Sequence, residues 1–104
     1  MQKSIASRLA KGDANSVPIL LPIAQQILFG NRSHTGSLIG FDLDGDALKY
    51  SVRPYPRGFY LDATSGTYRW APYQAKSGTY RLEFSASDGK KAATQTGVFI
   101  IRTL

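Results

Sequence analysis

Asp42, Asp44 and Asp46 stand at alternate positions in the run from Phe41 to Val52, just ahead of an apolar segment. Carboxylates this close repel one another unless water, backbone N–H groups or a cation offsets their charge. Hard cations such as calcium are bound by oxygen clusters of this kind. Aspartate also organises turns through its own backbone hydrogen bonds, with no ion at all. The residues alone therefore leave two readings open, a calcium site at one end of a β-domain and a metal-free turn. An EF-hand loop is excluded. Counted from Asp42, the sixth position should be glycine and is Ala47, and the twelfth should be glutamate and is Arg53.

No catalytic constellation accompanies these carboxylates. His34 is the only histidine and falls in a turn region, where solvent exposure is expected. There is no serine elbow and no phosphate-binding glycine loop. A glycosidase pair would need one carboxyl with a raised pKa in a cleft, whereas residues 42–46 read as an exposed loop. Asp62, ahead of Gly66, reads as turn chemistry. Tyr68, Trp70, Tyr80 and Phe84 fall at core-facing positions. Tyr55, Phe59, Tyr60 and Tyr73 fall in loops or at strand ends. An exposed row of such rings, flanked by Arg or Lys, would suit the faces of acidic sugars, and a carbohydrate-binding module is the alternative function.

The elements that must position these residues are short strands. Ile19–Leu21, bracketed by Pro18 and Pro22, suits an edge strand. Residues 30–33 form a turn, 37–41 a strand and 42–46 a loop. In 48–53, Leu48, Tyr50 and Val52 share one face. A short strand at 59–61 connects through a tight hairpin at 62–66, where Gly66 can take positive φ, to a strand at 67–71. The clearest strand is 79–87, in which Tyr80, Leu82, Phe84 and Ala86 alternate with polar residues. Asp88–Lys90 is a turn, and 94–102 is a last strand whose apolar run leaves its inward face undecided. Seven or so strands without helices predict an all-β, two-sheet antiparallel sandwich. Tyr80, following Gly78, matches the tyrosine corner of immunoglobulin-like sandwiches, whose hydroxyl bonds back to nearby backbone.

A chain of 104 residues with 42% hydrophobic and 12% aromatic content forms one globular domain. Residues 1–14 read as a flexible linker, although Ile5, Ala6, Leu9 and Ala10 are at helical spacing, and the folded domain covers 15–104. The absence of cysteine rules out disulfides and thiolate metal sites. No apolar stretch approaches about 20 residues, so no membrane insertion is expected, and the N-terminus lacks the apolar core of a signal peptide. The net charge of +6 comes from scattered Lys and Arg. It indicates a solvated basic surface or an anionic partner such as an acidic polysaccharide. No nucleic-acid motif is present, and none is expected as a partner.

Several segments in order resemble the dystroglycan-type cadherin-like domains, also met as immunoglobulin-like repeats of bacterial surface proteins. They are residues 15–18 (Asn-Ser-Val-Pro), 42–51, 56–62, 64–72, Gly78-Thr79-Tyr80 and Ala86-Ser87-Asp88-Gly89. The resemblance implies a seven-stranded immunoglobulin/cadherin-like sandwich. It also implies a non-catalytic spacer or adhesion module of a larger secreted or cell-surface protein. Its partners would be neighbouring domains of the same chain or another surface protein. Calcium in cadherins lies between consecutive domains. Asp42 and Asp44 match the Asp-x-Asp after the second strand, and Asp88 matches the aspartate after the sixth. Asp13 and Asn15 correspond loosely to the entry linker, with Asp46 in support. An up-and-down strand order would gather these residues at one pole. With backbone carbonyls they would supply four or five of the six to eight oxygens calcium takes, leaving water or a preceding domain to complete the shell and giving weak binding of about 10⁻⁴–10⁻³ M in an isolated domain. The acidic motif expected near the fifth-to-sixth connection is replaced by residues 72–77, so the far pole should not bind calcium.

Overall fold

The computed structural model describes residues 16–73 and 75–103. The linker expected at 1–14, and the candidate ligands Asp13 and Asn15, lie outside the described residues. Among the described residues there are nine strand segments: β1 (Ile19–Leu20), β2 (Gln26–Phe29), β3 (His34–Ser37), β4 (Gly40–Phe41), β5 (Lys49–Arg53), β6 (Phe59–Leu61), β7 (Thr67–Trp70), β8 (Gly78–Ser87) and β9 (Ala92–Arg102). A four-stranded sheet of order β2-β9-β8-β5 packs on a three-stranded sheet of order β3-β7-β6, and β1 and β4 form a separate two-stranded ribbon.

Period-two patterning builds the core between the sheets. Phe59, Leu61, Tyr68 and Trp70 come from one sheet, and Tyr50, Leu82, Phe84, Ala86, Phe99 and Ile101 from the other. Leu82, Phe84 and Ala86 are all buried, as the alternation of β8 requires. In β9 it is Phe99 and Ile101 that face inward. The rings of Phe59 and Tyr68 stack at 5.5 Å, and Trp70 meets Phe99 edge-on at 5.4 Å across the sheets. Tyr80 closes the corner, its hydroxyl donating to the Lys76 carbonyl at 2.7 Å. The β6–β7 hairpin also forms as expected, with Gly66 at φ +81°.

Four details depart from the sequence reading. The single strand expected at 37–41 starts earlier, at His34, and breaks between Ser37 and Gly40 so that its halves join different sheets. The break follows from Leu38, which is buried and donates its N–H to the Gly66 carbonyl. β3 can also lie flat on Tyr68 because Gly36 has no side chain; a Cβ there would collide with the tyrosine hydroxyl. Second, β2 was not legible, and it pairs parallel to β9, so the sandwich is not wholly antiparallel. Only Leu28 of its four residues is buried, so the segment has no alternation long enough to read. Third, His34 is not an exposed turn residue. It is half-buried in β3 against Tyr68 and Phe99, and burial lowers its pKa. Fourth, Phe59 is buried, which removes it from the exposed aromatic row, while Tyr55, Tyr60 and Tyr73 remain exposed.

Removing the Tyr80 hydroxyl isolates the corner bond. Tyr80→Phe is expected to cost about 1 kcal/mol, which thermal denaturation should read as a fall in Tm of about 4–8 °C. An unchanged Tm would show that the corner contributes nothing to stability.

Candidate cation site at the acidic pole

The β1–β4 ribbon delivers the acidic loop. Ile19 pairs with Phe41 and Leu20 with Gly40, so the loop that follows β4 lies beside the chain entering β1. The Ser16 N–H donates to Asp44 Oδ2 at 2.7 Å and fixes that proximity. Gln95 Nε2 donates to the Leu20 carbonyl at 2.9 Å and ties the ribbon to β9. Within the loop, the Asp44 N–H donates to Asp42 Oδ1 at 3.1 Å and the Gly45 N–H to the Asp42 carbonyl at 3.0 Å. This is the local aspartate turn that the residue types allow with or without an ion.

Carboxylate oxygens of Asp42, Asp44 and Asp46 all lie within 4.8 Å of one another. Asp42 and Asp44 are half-buried and Asp46 is exposed. Asp88 follows β8, whose last residue, Ser87, pairs with Lys49 at the start of β5, so it shares this pole. Its Oδ1 accepts the N–H groups of Lys90 and Lys91, both at 2.8 Å. Its charge acts on Asp46. The Asp46 pKa is raised by desolvation first, then by repulsion from Asp42, Asp44 and Asp88, and Lys90 opposes the shift. The structure thus brings Asp42, Asp44 and Asp46 together, with Asp88 close enough to repel Asp46.

The donor set fits a hard cation in one specific respect. Asp42 Oδ2 is buried and has no hydrogen-bond partner, and Ser16 Oγ is likewise buried without one. A buried acceptor left unsatisfied costs about 1–3 kcal/mol, and more when charged. A cation held by Asp42, Asp44 and Asp46 would satisfy that oxygen and neutralise the repulsion at Asp46 together.

The opposite face of the ribbon was not anticipated. Val17, Ile19 and Leu21 in and beside β1, and Ile39, Phe41 and Leu43 in and beside β4, are all exposed. Ile19 and Phe41 are directly opposed, and the Leu21 N–H donates to the Ile39 carbonyl, so the six side chains form one cross-strand apolar patch. The alternation Phe41-Asp42-Leu43-Asp44 carried this signal. It was masked because a strand is normally expected to turn its apolar face inward.

The chain belongs to the Putative Ig domain family, whose model matches residues 17–103. No curated protein matches the sequence. Three solved structures of similar fold are an endo-fucoidan hydrolase of glycoside hydrolase family 107, Drosophila N-cadherin EC1-4 and human protocadherin-24 EC1-2. The hydrolase is 21% identical with a TM-score of 0.71 over 88% of this chain and 14% of that one. N-cadherin is 14% identical with a TM-score of 0.70 over 85% of this chain and 25% of its own. Protocadherin-24 is 22% identical with a TM-score of 0.68 over 86% of this chain and 44% of its own. The chain therefore spans less than half the length of each. Among the described residues no helix is long and apolar enough to cross a membrane.

Two aspartates should respond to pH with opposite signs. Asp62 Oδ1 accepts the N–H groups of Thr64 and Ser65 at 2.9 and 3.0 Å, and these bonds lower its pKa below 3.8. Its contribution is present above 3.8 and lost as the pH falls through the lowered value. Asp62→Asn should therefore melt below the parent at pH 7, with the two curves converging at acid pH. The Asp46 pKa is raised above 3.8, so its ionisation costs stability as the pH rises through the raised value. Without divalent cations, Asp46→Asn should melt above the parent at pH 7 and lose that advantage below 3.8. Calorimetric scans across pH 3–7 check both.

Proposed function

We propose that the chain is a non-catalytic spacer or adhesion module of a larger secreted or cell-surface protein, and that it holds calcium at its acidic pole. Asp42, Asp44 and Asp46 are the principal ligands, with Asp88 beside them. The observation that carries this reading is the buried, unpartnered Asp42 Oδ2 inside a group of three carboxylates. Calcium supplies positive charge and a demand for six to eight oxygens. The protein supplies the spacing of the loop, which its backbone hydrogen bonds already hold.

The apolar ribbon face supports the modular part of the reading. Six exposed apolar side chains in one cross-strand block, at the end where the chain enters the domain, suit contact with a neighbouring domain. In the similar structures the matched part is 14–44% of a longer chain. A neighbour seated on this end would also complete the oxygen shell.

Calcium titration tests the proposal. Calcium should shift the amide resonances of residues 42–46 and 88–91 with a Kd of about 10⁻⁴–10⁻³ M. At ten times Kd it should stabilise the domain by about 1.4 kcal/mol. Asp42→Asn should abolish both effects, and Asp62→Asn should leave both intact. No shift with about 10 mM calcium, or an unaltered response in Asp42→Asn, would overturn it.

A further inference from the structure

We propose that the end of the sandwich opposite the carboxylates carries a second, preformed site, a trough for an acidic saccharide. The trough has a volume of about 460 Å³ and is lined by Arg57, Ala71, Tyr73, Lys76 and Tyr80, with the buried Trp70 also against it. The eight strand residues from Tyr80 to Ser87 span about 23 Å, so this site is separate from the acidic pole.

Three hydrogen bonds hold the backbone of the rim. Trp70 Nε1 donates to the Arg57 carbonyl at 3.2 Å. The Tyr80 hydroxyl donates to the Lys76 carbonyl, and the Tyr80 ring packs edge-on against Trp70 at 5.7 Å. The Ala75 N–H donates to the Pro72 carbonyl, closing the turn that presents Tyr73. A binder whose walls are already ordered loses little entropy on occupation.

The chemistry of the lining selects the ligand. Tyr73 is 58% exposed, although it borders a largely apolar depression. An exposed ring beside such a depression offers a flat surface to the C–H face of a pyranose. Arg57 and Lys76 bring two cations to the same rim, and no carboxylate is among the described lining residues. Arg32 in the β2–β3 turn and Arg102 at the end of β9 add positive charge at this end, where the Gly30 N–H donates to the Arg102 carbonyl. A neutral sugar would not draw on the positive charge gathered at this end. A bare inorganic anion would leave the ring and the apolar walls unused. A uronate-bearing oligosaccharide uses both.

The test is an NMR titration of the full chain with an oligogalacturonate tetramer. It should shift the Trp70 indole and the amides of Tyr73 and Lys76. Tyr73→Ala and Lys76→Ala should each weaken binding about fivefold, and neutral methyl-esterified tetramer should bind about tenfold more weakly than the acid form. Asp42→Asn should leave binding unchanged in calcium-free buffer, which separates this site from the cation proposal. Tyr73 and Lys76 are exposed, and an unchanged Tm checks that their variants remain folded. Equal weakening by the double variant Lys49→Ala/Lys90→Ala at the other pole would reveal diffuse charge attraction and overturn the proposal. So would equal binding of a poly-glutamate peptide or of sulfate, or undiminished binding in the Tyr73→Ala/Lys76→Ala double variant.

Discussion

The structure depends on aromatic packing between its two sheets. With no cysteine there is no covalent staple, so Phe59, Tyr68 and Trp70 on one sheet must hold Phe84 and Phe99 on the other. Centroid separations of 5.4–6.2 Å and mostly tilted or edge-on geometries place these rings where quadrupole and dispersion terms both favour contact. Truncating such a ring to alanine typically costs about 3–5 kcal/mol, a large share of the total stability of a small domain. Both ends of the molecule are fastened to this cluster. Trp70 holds the Arg57 backbone and braces Tyr80, while Tyr68 lies across Gly36 and thereby sets the course of β3 toward the ribbon.

The ribbon inverts the ordinary logic of a half-buried strand. Phe41 and Leu43 face outward, and Asp42 and Asp44 are the more buried residues. For an isolated domain both choices are unfavourable, since apolar area stays in water and like charges gather with an oxygen left unpaired. Two unfavourable features at one site carry more weight than either alone. A cation would answer the inward face and a neighbouring surface the outward one. Under the proposed function, one period-two sequence would present opposite sides of a thin ribbon to these two partners.

The parts of the fold that were legible are those where one residue type forces one outcome. Leu82, Phe84 and Ala86 share one face by alternation, Gly66 suits a turn at positive φ, and Tyr80 after Gly78 matches a corner tyrosine. The acidic loop was legible for the same reason, because three carboxylates in five positions admit few environments. What escaped depends on tertiary contacts. The four residues of β2 show no pattern until β9 lies alongside them in parallel. The break in β3–β4 depends on Tyr68 and Gly66, which are far along the chain. His34 and Phe59 looked like surface residues because their neighbours are turns, yet both are covered by strands from elsewhere. The trough could not be read because its rim joins residues 57, 73 and 76 through Trp70 and Tyr80.

A net charge of +6 suggests a uniformly basic surface, and most of the described acids are instead gathered at one end, with Lys49, Lys90 and Lys91 beside them. Asp42, Asp44, Asp46 and Asp88 gather at one end. Asp62 joins them there, because its hairpin bonds to Tyr50 and Leu38 through the Ala63 and Gly66 carbonyls. The remaining described acid, Glu83, is paired with Arg53 at 2.6 Å. Arg32, Arg57, Lys76 and Arg102 occupy the other end. At about 0.1 M salt the Debye length is about 10 Å, well short of the strand that separates the two ends. Each end therefore acts on its surroundings almost independently, and a charge added or removed at one should leave the other undisturbed. On the two proposals above, that independence would let a small module face a cation and a neighbouring domain at one end and an anionic ligand at the other, with only the aromatic core shared between them.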